Sequence, residues 1–159
     1  MIKKKFLINL LIVLSIFILD RLSKIYVIYL NDGNLKPEIF SSKFLNIHLI
    51  WNQGIAFGLF SFDQKSFYNF LTLIIFFVII IVLLWTFKST GLKKYILIMI
   101  FAGALGNFFD RIVYGAVPDF IDLHINNFHW FIFNVADIFI TLGVLIMIMT
   151  EFIGIDKNK

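Results

Sequence analysis

Asp137 sits in "FIFNVADIFITLG", residues 131–143, with apolar residues on both sides. No basic residue lies within a helical turn of it. A carboxylate facing lipid is expensive, and ionisable groups inside a membrane normally face a bundle interior or a polar cavity. That makes Asp137 a candidate for chemistry. Two further acids, Asp119 and Asp122, stand in the polar stretch "VPDFIDLHINNFHW" just before it. Two carboxylates a few ångströms apart cannot both ionise cheaply, so such a pair holds one proton. The charged member can then take a proton from water while the protonated member donates to a scissile carbonyl. Spacing alone does not choose between Asp119 and Asp122, and each is also readable as a plain loop acid.

The other intramembrane polar residues carry both signs. Asp20 and Lys24 are at i,i+4 with the acid first, the favourable order on one helix face. Asn107, Asp110 and Arg111 are at i, i+3, i+4 and share a face, with Gly103 and Gly106 a turn below to admit a neighbouring helix. Asp20–Lys24 and Asp110–Arg111 read as locally neutralised, structural pairs. Other chemistries fit less well. Without cysteine there is no thiolate nucleophile, thiolate metal site or disulfide. His48, His124 and His129 show no metal-ligand spacing and "HExxH" is absent, so no metal or other cofactor is expected. Ser23 and Lys24 are adjacent on a helix and diverge, and no phosphate loop is present.

These residues need elements to position them. The chain is 60% hydrophobic and 15% charged over 159 residues, with mean hydropathy +0.93, which puts it in the membrane class. Its net charge of +4 is not gathered on one face, so nucleic acid is not expected as a partner. Four apolar stretches are long enough to span a bilayer, at about 6–30, 66–87, 95–114 and 131–153. They predict one integral membrane domain, with outward segments 31–65 and 115–130. "MIKKKFLINLLIVLSIF" starts like a secretory signal, but no small-x-small cleavage site follows and "DRLSK" comes next, so it reads as a retained first span. Alternation in "KFLNIHLIWN" suggests a short strand, and "FSFDQKSF" a short amphipathic piece at the interface. Lys3, Lys4, Lys5, Lys88, Lys93, Lys94, Lys157 and Lys159 fall on one side, and Lys36, Lys43 and Lys65 on the other. The larger set marks the cytoplasmic side and predicts that both termini lie there.

Depth counting joins the two views. From Lys5 to Asp20 is roughly 22 Å, from Lys94 to Asn107 roughly 20 Å, and from Glu151 back to Asp137 roughly 21 Å at helical rise. Three helices therefore place polar groups in one slab in the outer third of the bilayer.

The motifs "DRLSK", "NQGIAFG", "GALGNFFDR", "VPDF" and "FNVAD", in this order, resemble lipoprotein signal peptidase, the signal peptidase II family. The likeness covers nearly the whole chain. It implies an all-α membrane protein with four transmembrane helices, a small extracytoplasmic β-cradle and a short interfacial helix. It implies an aspartic endopeptidase of the bacterial inner membrane, with its site toward the outer face; nothing in the sequence demands more than a monomer. The implied substrate is a prolipoprotein, cut before a diacylglyceryl-modified cysteine, and the implied inhibitor is globomycin. Carried over by motif, Asp119 and Asp137 are the catalytic pair. Asp20, Lys24, Asn52, Gly103, Asn107, Asp110, Arg111, Asn134 and Ala136 shape or support the site, Asn134 lying one helical turn before Asp137. Two positions depart from the pattern. Ile55 stands where alanine is common, and Pro118 where an apolar, non-proline residue is usual; both touch local loop conformation. A small proton-coupled carrier would also place acids within the membrane, but no repeat is visible and the slab is off-centre. A non-catalytic scaffold would use Asp137 as a helix–helix hydrogen bond. A "GxGD" intramembrane protease lacks its motif here.

Overall fold

A computed structural model describes residues 2–33, 38–54 and 64–154. Four helices are long and apolar enough to cross a membrane: α1 Ile2–Gly33, α2 Gln64–Lys88, α3 Gly91–Tyr114 and α4 Val135–Ile153. The sheet is built from β1 Phe40–Ser41, β2 Leu45–Asn52, β3 Val117–Ile125 and β4 Phe128–His129, antiparallel throughout in the order β1-β2-β3-β4. β2 covers most of the strand expected from "KFLNIHLIWN" and carries a bulge between Ile47 and Ile50. α2 is the most uniformly apolar span and has no charge between Tyr68 and Phe87. Phe6, Leu7, Leu11, Phe77 and Phe87 are exposed, as expected of side chains solvated by lipid.

α3 is the hub and packs on α1, α2 and α4. Its glycines set the spacing. A Cβ on Gly103 would lie 2.6 Å from the Ala136 carbonyl oxygen, and one on Gly106 would lie 2.7 Å from Asp20 Oδ2. On α4, Gly143 lets Ile100 approach to 2.5 Å of where a Cβ would stand. These close approaches keep α1 and α4 against α3 at the depth of the polar residues.

The helix bounds depart from the expected spans in one place that matters. Residues 131–134 are not helical. Phe133 is drawn into the sheet: its carbonyl accepts from Phe120 N and Ile121 N at 3.1 and 2.8 Å, and its N–H donates to Ile121 at 3.1 Å. Asn134 is the extended N-cap of α4, with φ −127° and ψ −178°. Pairing with β3 outweighs the apolar pattern that reads as helix. Of the short interfacial helix expected near "FSFDQKSF", residues 60–63 lie outside the described residues, and Gln64 onward is the start of α2. Ile55 also lies outside them. Pro118 is buried near the start of β3 opposite Trp51, beyond the reach of β4, where a missing N–H is tolerated.

Candidate active site

The slab expected from depth counting is present and has two tiers. The inner tier is ionic and buried between α1 and α3. Lys24 Nζ donates to Asp110 Oδ2 at 2.6 Å and lies 2.9 Å from Asp20 Oδ1. Arg21 completes the cluster: Nη2 donates to Asp20 Oδ2 and Asp110 Oδ2, each at 2.7 Å, and Nη1 reaches Asp110 Oδ1. Two acids and two bases leave the tier formally neutral. The helix register explains the arrangement: Asp20 and Lys24 share a face of α1, while the long Arg21 side chain lies across Phe17 and Phe109 to reach the same acids. Asp20 also accepts from the backbone N–H of Ala136 at 3.0 Å. That satisfies one of the unpaired donors in the first turn of α4 and brings a negative charge to its positive end.

The outer tier is built from amides and two carboxylates. Lys24 Nζ donates to Asn107 Oδ1 at 2.8 Å, which turns Asn107 Nδ2 toward Asp137 Oδ1 at 2.7 Å. Asn134 and Asp137 form a capping box. Asn134 N donates to Asp137 Oδ2 at 3.1 Å, and Asp137 N donates to Asn134 Oδ1 at 3.2 Å. The remaining side of the Asn134 amide, Nδ2, donates to Asp119 Oδ1 at 2.5 Å. Asn52, the last residue of β2, donates to Asp119 Oδ2 at 2.8 Å and accepts from Gly54 N at 2.7 Å. One residue, Asn134, therefore touches both carboxylates and fixes their separation. Asp119 is buried, and burial is the main cause that pushes its carboxyl up to about 6. The amides of Asn52 and Asn134 oppose that rise, the nearby Asp137 charge adds to it, and Lys24 opposes it.

Beside Asp137 a cleft of about 540 Å³ opens between the β3–β4 hairpin and α4. Its walls are apolar, from Leu123, Trp130, Phe133, Ile138 and Leu142, and Asp137 is the acid on them. The cleft can hold an extended apolar chain next to a carboxylate.

The structure brings together Asp20, Lys24, Asn52, Asn107, Asp110, Asp119, Asn134, Ala136 and Asp137, with Gly103 closing the backbone gap. Two expectations need correction. Asp110 pairs with Lys24 and Arg21, not with Arg111; the Arg111 guanidinium turns back to the Asn107 carbonyl at 3.2 Å, and its Nε is buried without a partner among the described residues. Asn134 is not a helical turn inside α4 but caps it. Of the two acids that spacing leaves open, Asp122 points to the opposite face of β3 from Asp119, because residues three apart on a strand alternate, and it bonds to His129. Arg21 was missed because it is one residue from Asp20, about 100° around the helix, and only its length brings it back. The signal was available in its sequence position: a third charge in "DRLSK" cannot stay unpaired at that depth.

Residues 12–153 match the family described as Signal peptidase (SPase) II. The lipoprotein signal peptidase of Pelagibacter ubique (strain HTCC1062) is 51% identical over 148 residues, 93% of this chain and 89% of that protein. The lipoprotein signal peptidase of Anaplasma phagocytophilum (strain HZ) is 37% identical over 150 residues, 93% of this chain and 94% of that protein. A bacterial membrane enzyme solved by the in meso method at 2.3 Å resolution superposes with a TM-score of 0.72 at 31% identity, covering 95% of this chain and 91% of that one.

Proposed function

We propose, from the premise that this chain belongs to the signal peptidase II family and is an aspartic peptidase, that Asp119 and Asp137 are its catalytic pair. The pair shares one proton. Its ionised member takes a proton from a water held between the carboxylates, and the protonated member donates to the scissile carbonyl oxygen. The water oxygen bonds to the carbonyl carbon. Collapse of the tetrahedral intermediate breaks the C–N bond, and the proton taken from water leaves with the amine. The observation that carries this reading is Asn134, which donates from its backbone to Asp137 and from its side chain to Asp119.

The substrate is a prolipoprotein, and cleavage falls before a cysteine that already carries diacylglycerol. A signal peptide is itself a membrane helix, and it must leave helical form where it is cut. The cavity must then supply partners for the freed backbone groups. Asn52 and Arg111 are suited to hold that backbone, and the apolar cleft beside Asp137 suits the flanking chain. The chain is one integral unit of the bacterial inner membrane, both termini cytoplasmic, the pair toward the outer face. Eight lysines on the terminal side against three on the other support this orientation. A globomycin-type inhibitor would occupy the same cleft.

The test is reconstitution with a diacylglyceryl-modified prolipoprotein and measurement of signal-peptide release. Asp119→Asn and Asp137→Asn should each lower turnover by about 10³-fold or more while inserting normally. Near-parental turnover in either variant rejects the pair.

A further inference from the structure

The histidines that look unrelated along the chain meet across the outward hairpin. β3 and β4 are antiparallel with His124 opposite His129. Their rings stack at 5.0 Å between centroids and 21° between planes. Asp122 lies two residues before His124 and shares its face of the strand. Its carboxylate is buried and receives His129 Nδ1 at 2.9 Å from Oδ2 and 3.1 Å from Oδ1. One ligand atom from each of Asp122, His124 and His129 lies within 4.8 Å of the other two. His124 Nδ1 is buried without a hydrogen-bond partner among the described residues.

The geometry points to a binding site for a zinc-class dication formed by Asp122, His124 and His129, on the face of β3 opposite Asp119. Two imidazoles and a carboxylate are a ligand set that suits Zn²⁺ and its neighbours better than Mg²⁺ or Ca²⁺, which take oxygen ligands. Ligands bonded to Zn²⁺ at about 2.0–2.1 Å in a tetrahedral arrangement stand about 3.3 Å from one another. Asp122 and His129 are already near that spacing, and the His124 ligand atom lies within 4.8 Å of both. The hydrogen between His129 Nδ1 and Asp122 moves to Nε2 through solvent, which the half-exposed His129 ring allows. Nδ1 is then free to bind metal, and no net proton leaves the imidazole. Water fills the fourth position on the exposed side. A bound dication also balances the Asp122 carboxylate more fully than one imidazole can. It would staple β4 to β3, and this hairpin forms one wall of the cleft beside Asp137.

His124→Gln is the clean variant, because it leaves the Asp122–His129 contact in place. The full-length protein, in detergent, freed of chelator and of any affinity tag, is titrated with Zn²⁺ by calorimetry, and its melting is followed with and without the metal. The parent should bind one Zn²⁺ per chain and melt higher with it. His124→Gln and His129→Gln should bind more than about tenfold more weakly and lose the metal-induced shift. His48→Gln, on β2, should behave as the parent. No stoichiometric binding in the parent overturns the site. So does equal binding by parent and His124→Gln, which would mark an adventitious surface ion.

Discussion

The two tiers of the slab hold their carboxylates by different means. Asp20 and Asp110 are bonded to Lys24 and Arg21, charge against charge. Asp119 and Asp137 are bonded to Asn52, Asn107 and Asn134, which donate hydrogen bonds but bring no net charge. An ion pair fixes the protonation state of its acid. An amide positions an acid and leaves its proton free to exchange. On the proposed function the inner tier is scaffold and the outer tier does the chemistry, although the same helices build both. Lys24 is the hinge between them, since its third hydrogen bond orients Asn107 toward Asp137.

The sharpest way to break the comparison is to neutralise acids in each tier. The double variant Asp119→Asn/Asp137→Asn should stay folded in detergent while losing about 10³-fold or more of its turnover. If it unfolds instead, the outer tier is scaffold too. Lys24→Met should do the opposite and destabilise the bundle by about 3–5 kcal/mol, because it leaves two buried carboxylates facing one guanidinium. Adding Asp110→Asn to Lys24→Met restores the balance of one acid and one base, and should recover part of that stability. Thermal unfolding compared across the three proteins decides it, and no recovery in the double variant would mean that charge balance is not what the tier supplies.

Backbone proximity gives a finer probe. At Gly103 an added Cβ meets the Ala136 carbonyl, a rigid neighbour at the start of α4; at Gly143 it meets the Ile100 side chain, which can turn. Gly103→Ala should therefore cost about 1–3 kcal/mol and lower turnover by displacing Asp137, whereas Gly143→Ala should cost less and spare activity. Equal effects would show that α4 moves as a rigid body without regard to the site.

The depth of Asp20, Asn107 and Asp137 was legible because helical rise is regular, so counting from basic anchors places side chains of different helices in one plane. Azimuth was less legible. Asp110 was assigned to Arg111, its neighbour in sequence, although its partners Arg21 and Lys24 stand on α1; Gly103 and Gly106 mark a close approach in the sequence, but which helix each admits shows only in the packed bundle. The strand at 45–52 declared itself by alternation, but β3 did not, since Val117–Phe120 is buried on both faces and Asp119 and Asp122 make the stretch read as a polar loop. That also hid Phe133, which pairs with β3 and delays the start of α4 until Asn134. Spacing left Asp119 and Asp122 open because a loop reading has no strand parity, and the family resemblance chose Asp119; the meeting of His124 with His129 needed register. Arg111 remains outside the ion cluster, and its buried Nε has no partner among the described residues.

The smallest effect separates the tiers by proton linkage. Asp119 stands at about 6 in the fold against 3.8 unperturbed. The folded state thus binds the proton more tightly than the unfolded chain between those values. Its contribution to stability is gained as pH falls through about 6 and is lost as pH rises through it. Between pH 7 and pH 5 this amounts to about 1 kcal/mol in favour of the folded state. Asp119→Asn removes that term, together with the Asp119 charge that Asp137 faces. The difference in unfolding free energy between parent and variant should therefore change by about 1 kcal/mol across the window, with the parent gaining toward acid. If the two proteins keep a constant difference from pH 7 to pH 5, Asp119 does not exchange its proton there, and the amide-held tier is no freer than the ion-paired one.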